Sequence, residues 1–295
     1  MTQTALILGA SGKIGRHFAA AFQAAGWTVK RFTRGEDMTR AAMGCDVIVN
    51  GLNPPAYHDW GTILPQITTQ VIDAARASGA TILFPGNVYV FGDQPGPWSE
   101  TTPHRPCSRK GAIRAQIEGA YRAAADEGVQ TIILRAGDFL TPEVSDSFVD
   151  VVYLRGFSRG VVTSLGDPAT ERAHAWLPDM ARAGVMLAER RADLPAFTDV
   201  PFPGYTFSTN DLAQRLSRLG GRSLRVKAFP WWLFAVTGPV WELAREMAEM
   251  RYLYNTPHRL DDRLFNRLLP NFRATPLEDA LAEILSTRTT TAKAA

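Results

Sequence analysis

Cysteine is scarce. Cys45 and Cys107 are the only two in 295 residues, and they form no Cys-x-x-Cys pair. That excludes a disulfide framework and a cysteine zinc site, and it suits a reducing compartment. The chain holds five histidines, and no His/Cys/carboxylate set has metal-ligand spacing, so no metal is expected. A long hydrophobic run is also missing. The most apolar stretch, AFPWWLFAVTGPVW (228–241), is interrupted by Pro230 and Pro239 and falls short of the roughly 20 residues that cross a bilayer. No stable membrane insertion is expected. Neither sign of charge dominates: 32 Lys and Arg against 29 Asp and Glu leave a net +3. No basic arm marks a nucleic-acid binder, and no internal repeat occurs. Met1–Thr4 is short and polar, with no charged leader before an apolar segment, and a cytoplasmic location is the expectation.

Alternation fills the first half. ALILGA (5–10), DVIVNG (46–51), ATILFPG (80–86) and QTIILRAG (130–137) are apolar throughout, as strands are when helices cover both faces of a parallel sheet. GWTVKRFTR (26–34) is a further, less apolar strand. Between them, residues 13–25, 62–78 and 110–127 place apolar side chains at helical spacing, and Gly26, Gly79 and Gly128 stand where each helix should stop. The rhythm predicts a doubly wound, Rossmann-type α/β domain over 1–140, with ligands at the carboxyl ends of the strands. Over 141–286 the rhythm breaks into a smaller, α-rich lobe with segments returning to the sheet. Residues 287–295, low in apolar content, are expected as a disordered tail.

The turn after the first strand carries the main chemical signal. Gly9, Gly12 and Gly15 in LILGASGKIGRHF give G-x-x-G-x-x-G between a strand and a helix. Glycines there permit a tight turn, close approach of a diphosphate and close packing of helix on sheet, with the helix N-terminus facing the phosphates. Gly9, Ser11, Gly12, Lys13, Ile14 and Gly15 are the expected dinucleotide cradle, and Gly51 and Leu52 at the end of the third strand are counted with them. The second strand ends KRFTRGED, with Arg31 and Arg34 and no acid before Glu36. An acid there would select NAD through the ribose hydroxyls, whereas a guanidinium clamps a 2′-phosphate. NADP is therefore the expected cofactor, through Arg34, with NAD the alternative.

The chain resembles the short-chain dehydrogenase/reductase superfamily, in its extended or atypical epimerase/dehydratase branch. The resemblance rests on GASGKIG (9–15), PGNVYVFGD (85–93), LRAGDFLTP (134–142), AWLPDMARA (175–183) and TPLEDALAEIL (275–285), in that order. It implies an NAD(P)-dependent oxidoreductase or epimerase acting on a small carbonyl or hydroxyl compound, such as a sugar derivative. It also implies a Tyr-x-x-x-Lys pair on the helix before the fifth strand and a nearby Ser or Thr. Aligned through Glu118, those positions hold Lys110 and Arg114, and the Ser/Thr position holds Asn87. The whole triad is replaced.

Three readings follow. Lys110 exchanges the proton, its basicity lowered by Arg114 one turn away, with Asn87 on a substrate oxygen and Tyr89 as the alternative donor. Or Lys110 and Arg114 bind cofactor in an NADP(H)-sensing regulator without turnover. Or the pair is a solvated face with an Arg114–Glu118 salt bridge. The enzyme reading leads because Tyr57, His58 and Trp60 follow the third strand, Asp138 and Phe139 the fifth, and His174 and Trp176 precede the helix near Pro178. Tyr57, Trp60, Asp138, Phe139, His174 and Trp176 are the expected substrate contacts. Trp231, Trp232, Phe234 and Trp241 are expected to pack the lobe, with an exposed fraction free to line a channel or a homodimer face. Membrane association through this segment is a further alternative, against which the sequence around it shows no basic polar face.

Overall fold

A computed structural model describes residues 2–145, 147, 149–237 and 241–294, without the side chains of 56, 235 and 289–294. In chain order the strands and α-helices are β1 (Thr4–Leu8), α1 (Lys13–Ala24), β2 (Thr28–Arg31), α2 (Met38–Ala42), β3 (Val47–Asn50), α3 (Trp60–Ser78), β4 (Thr81–Gly86), α4 (Arg109–Asp126), β5 (Thr131–Arg135) and β6 (Asp138–Leu140). There follow β7 (Val161–Ser164), β8 (Arg172–Trp176), α5 (Leu177–Glu189), β9 (Phe197–Pro201), β10 (Tyr205–Phe207), α6 (Thr209–Leu219), β11 (Arg225–Ala228), α7 (Trp231–Thr237), α8 (Glu242–Glu249), α9 (Arg263–Leu268) and α10 (Leu277–Ala294).

Among the described residues the main sheet runs β2-β1-β3-β4-β5-β9, all parallel. β1 has β2 on one side and β3 on the other, so the winding reverses there and the carboxyl ends of β1 and β3 open a crevice. Alternation along β1 shows why both faces are apolar. Ala5 and Ile7 join a cluster with Phe18 and Phe22 of α1 and Met180 and Ala183 of α5. Leu6 and Leu8 join Ile48, Val71, Ile82, Phe84 and Tyr121 beneath α3 and α4. Phe18 and Phe22 are fully buried, each contributing about 1.5–3 kcal/mol by leaving water. The helices stop as expected: Gly79 caps α3 at φ +74°, and Gly26 and Gly128 follow α1 and α4 with φ of +84° and +85°.

The second half builds two smaller sheets, β10-β8-β6 and β11-β7, while β9 returns to the main sheet beside β5. Its packing centres on Tyr153, Trp176, Phe207, Leu212, Leu216 and Leu281. Helix α10 continues to Ala294, through the stretch expected as a disordered tail. Arg288 is ion-paired with Asp150 and ties that helix to the lobe. Among the described residues no helix is long and apolar enough to cross a membrane.

Candidate active site

The crevice between β1 and β3 is built by glycines in contact. A Cβ on Gly9 (φ +72°) would lie 2.8 Å from Gly51 O, and one on Gly15 would lie 2.2 Å from Gly9 O. Those two glycines are required by the fold itself. Gly12 differs. Its backbone is extended (φ −76°, ψ 164°), and a Cβ there meets only Gly9 O at 3.4 Å, which a shift of a few tenths of an ångström relieves. The fold tolerates a side chain at Gly12, and its bare Cα leaves the start of α1 open. Helix α1 begins at Lys13 with no side-chain cap and no acid in its first turn, an electropositive end suited to a diphosphate. Ser11 is exposed, Ile14 packs on the core, and Leu52 N–H donates to Asn50 Oδ1 at 3.2 Å beside Gly51. These residues fit a dinucleotide.

After β2 the chain makes a tight turn, with Glu36 N–H donating to Thr33 O at 3.1 Å and Gly35 at φ +95°. Arg31 and Arg34 are exposed, and the Glu36 carboxylate accepts from Thr33 N–H at 3.3 Å. Two guanidiniums and one carboxylate thus share the edge where a cofactor ribose is expected.

Lys110 and Arg114 are both buried, which dismisses the solvated face. Lys110 does not stand against Arg114 alone. Its ammonium donates to Glu246 and, at 2.6 Å, to Glu249 Oε2, both on α8, and its backbone N–H donates to Glu249 Oε1 at 3.2 Å. Two carboxylates 136 and 139 residues away therefore clamp the group expected to shuttle a proton. Arg114 donates to Asn53 Oδ1 at 2.8 Å and lies over the Trp60 and Phe84 rings, 4.7 and 5.7 Å from their centroids. Burial lowers its pKa from the ordinary arginine range, and its Nε has no hydrogen-bond partner. The Arg114–Glu118 bridge is not formed, because Glu118 takes Arg135 instead, at 3.0 and 2.7 Å.

Phenols gather at the ends of β3 and β4. Tyr89, in a one-turn 3-10 helix (Tyr89–Phe91) after β4, and Tyr57, in the loop after β3, hold their hydroxyls 3.3 Å apart. Tyr57 has φ +63° and Asp59 φ +42°, left-handed backbone that costs a residue with a Cβ about 1 kcal/mol or more. Burial raises both phenol pKa values. For Tyr89, Asp138 adds to the rise, while the hydrogen bond with Tyr57 and the charge of Arg114 oppose it. Asn87 Oδ1 accepts the Tyr89 N–H at 3.0 Å and its carbonyl accepts from Arg135 Nη1 at 2.5 Å, so this residue shapes the turn that presents Tyr89.

Asp138 accepts from Arg172 Nη1 at 2.8 Å. Burial alone would raise its carboxyl, but Arg172 and neighbouring His174 hold it below the usual range. Arg172 also hydrogen-bonds Tyr153 and stacks over Tyr254 at 5.0 Å. His174 is a strand residue, stacked on Phe207 at 3.8 Å with Nδ1 on Arg172 O at 2.8 Å. His258 stacks on Trp98 at 4.4 Å. Burial holds the two rings at pKa values of about 3 and about 4. Both are neutral in the folded chain where an unfolded chain starts to bind protons, near pH 6.5. Stability contributed by these rings is therefore full above pH 6.5 and is lost as pH falls through about 4 and then about 3. The melting temperature should drop over that interval, and His258→Gln should flatten the drop. An unchanged slope in the variant would refute the assignment.

The remaining expected contacts divide. Trp60 is buried at the start of α3, 5.0 Å from the Tyr57 ring, with its indole N–H on Pro54 O at 3.4 Å. It supports the site from below. Phe139, on β6, packs on the α1–α5 face, and Trp176 is buried in the lobe core because β8 runs up to the cap of α5 and turns its last side chain inward. Tyr254, Arg172, Glu246 and Glu249 carry no sequence signal and join the site only through the fold. His104, Glu118 and Asp199 bring ligand-type atoms within 4.8 Å of one another, but Arg135 donates to both carboxylates, at 2.7 and 2.5 Å, so the cation this cluster holds is its own arginine.

Comparison with known proteins agrees with the fold. The model of the NAD dependent epimerase/dehydratase family matches residues 62–200. No curated protein matches the chain in sequence. UDP-glucuronic acid 4-epimerase from Bacillus cereus, in complex with NAD, superposes with a TM-score of 0.77 at 15% identity, over 97% of this chain and 96% of that one. UDP-glucose 4-epimerase from Brucella ovis, also with NAD, gives 0.73 at 17% identity over 95% and 96%. PA4631, a nucleoside-diphosphate-sugar epimerase from Pseudomonas aeruginosa, gives 0.72 at 19% over 98% of each chain. The chain thus has the Rossmann-type fold of these epimerases, and its residues 62–200 match the NAD dependent epimerase/dehydratase family.

Proposed function

We propose that this chain is an epimerase/dehydratase-type enzyme that binds NADP(H), with NAD(H) the alternative, in the cradle from Gly9 to Gly15. It acts on a small carbonyl or hydroxyl compound, sugar-derived like the UDP-sugars named for its structural neighbours. The observation that carries the reading is Gly12, a glycine the fold does not need, at the uncapped start of α1. Bound there, a nicotinamide supplies or takes the hydride. The proton passes through Tyr89, which donates to the substrate oxygen and is hydrogen-bonded in turn to Tyr57. Arg114 fills the place of the lysine as a fixed positive charge that favours the phenolate. Asn87 offers its amide to a substrate oxygen, and Lys110 ties α4 to α8 through Glu246 and Glu249.

That tie also favours the second reading, a regulator that reports NADP(H) without turnover, since it couples the cofactor domain to the lobe. A screen of carbonyl substrates with NADPH separates the two. Tight cofactor binding with no turnover of any carbonyl would leave only the regulator. For the cofactor itself, Arg34→Ala should weaken NADPH about ten- to a hundredfold, the value of one charge-assisted hydrogen bond, and leave NADH nearly unchanged. Equal losses for both would dismiss the 2′-phosphate clamp and favour NAD.

A further inference from the structure

Helix α7 is apolar on both sides. Its inner side chains, Trp231 and Phe234, each pack on Phe229 with ring centroids 5.0 Å apart, and Trp231 Nε1 donates to Leu165 O at 2.7 Å. Its outer side chains, Trp232, Leu233 and Val236, are 66%, 40% and 71% exposed. Trp241 beyond them is 47% exposed, 5.6 Å from the Phe234 ring. Half of the large apolar side chains exposed among the described residues therefore fall within ten positions. A helix apolar all round belongs in a core or in lipid, and the outer face of this one is in no core.

Cations flank the patch along the chain. Arg225 and Lys227 are exposed on β11 immediately before α7. Arg245, one turn past Trp241, is exposed but pairs with Glu246 at 3.7 Å, and Arg251 sits over the Trp231 ring at 5.5 Å. The acids of the same segment are engaged: Glu246 and Glu249 hold Lys110, Glu246 also takes Arg245, and Glu242 pairs with His58 at 3.2 Å, which leaves Arg225 and Lys227 as the exposed cations beside this face. A two-fold contact between copies would bring two sets of these cations into one interface. An anionic lipid surface has the complementary charge.

We propose that this face docks the protein on a membrane bearing anionic headgroups. Trp232, Val236 and Trp241 enter the boundary between headgroups and acyl chains, and Arg225 and Lys227 meet the phosphates. The attachment is peripheral and reversible, and it does not depend on the enzymatic reading.

Co-sedimentation of the full chain with vesicles tests it. The protein should sediment with phosphatidylcholine vesicles containing phosphatidylglycerol, about tenfold less with phosphatidylcholine alone, and should be released at about 0.5 M salt. Tryptophan emission should shift to the blue on binding. Trp232→Ser with Val236→Ser should weaken partitioning about tenfold or more, and Arg225→Gln with Lys227→Gln should remove the preference for anionic vesicles. Met43→Ser, at an exposed apolar residue after α2, should change neither, and all variants should keep the parent melting temperature. No sedimentation with anionic vesicles, or sedimentation indifferent to the Trp232/Val236 pair, would overturn the proposal. So would a concentration-dependent dimer abolished by that pair, which would give the face to a second copy.

Discussion

Tyr89→Phe is expected to lower turnover by about two to four orders of magnitude while leaving NADPH affinity within a few fold, the signature of a lost general acid rather than a lost ligand. The phenol is half-buried and its pKa is raised, so its neutral form is the stable one and it serves as a donor. Forming the phenolate is eased by Arg114 and by the hydrogen bond from Tyr57. The variant keeps the ring and loses one neutral hydrogen bond, at a cost of about 0.5–1.5 kcal/mol, too little to unfold the chain. A merely structural Tyr89 would lower the melting temperature and leave the rate of the folded fraction intact. Full turnover in the variant would pass the donor role to Tyr57 or return it to Lys110.

Arg135→Met should be the most damaging substitution for stability. Arg135 is fully buried at the end of β5. It donates to both oxygens of Glu118 on α4, to Asp199 on β9 at 3.2 and 2.5 Å, and to Asn87 O. Burial alone would lower its pKa, but Asp199 and Glu118 outweigh that and raise it. Methionine fills similar space yet leaves two carboxylates buried without their cation, at a cost of about 3–5 kcal/mol. Glu118→Gln with Asp199→Asn in the same chain should recover much of the loss, since uncharged amides need no counter-ion. Chemical denaturation would measure both steps. An Arg135→Met variant as stable as the parent would mean that water or another group satisfies the carboxylates.

The same arginine marks the limit of what could be anticipated. Strands β1, β3, β4 and β5 and helices α1, α3 and α4 are legible because burial on both sides or on one side writes itself as runs and periods. The crevice is legible because glycine is the residue that fits a positive φ at Gly9 and a 2.2 Å clash at Gly15. Charge pairing across the fold leaves no such period. Nothing in RKGAIRAQIEG shows that Lys110 meets Glu246 and Glu249, or that Glu118 leaves Arg114 for Arg135. A place just before Pro178 points His174 and Trp176 toward the site. Pro178 does start the helix, but β8 extends to its cap and buries both. In α7 the sequence shows a run of aromatics without showing which face out, and the helix turns Trp231 and Phe234 inward and Trp232 outward.

The central claim is that the main chain from Gly9 to Gly15 grips a dinucleotide, and Gly12→Asp tests it most directly. Asp is a good N-cap in extended backbone, so the variant should melt at or above the parent temperature. Its carboxylate and side chain would occupy the approach that the bare Gly12 leaves open at the start of α1. Calorimetric titration should show NADPH binding the parent and failing to bind the variant, about a hundredfold weaker or more through steric and like-charge exclusion. A parent that binds neither NADPH nor NADH, or a stable variant that binds as the parent does, would contradict the account.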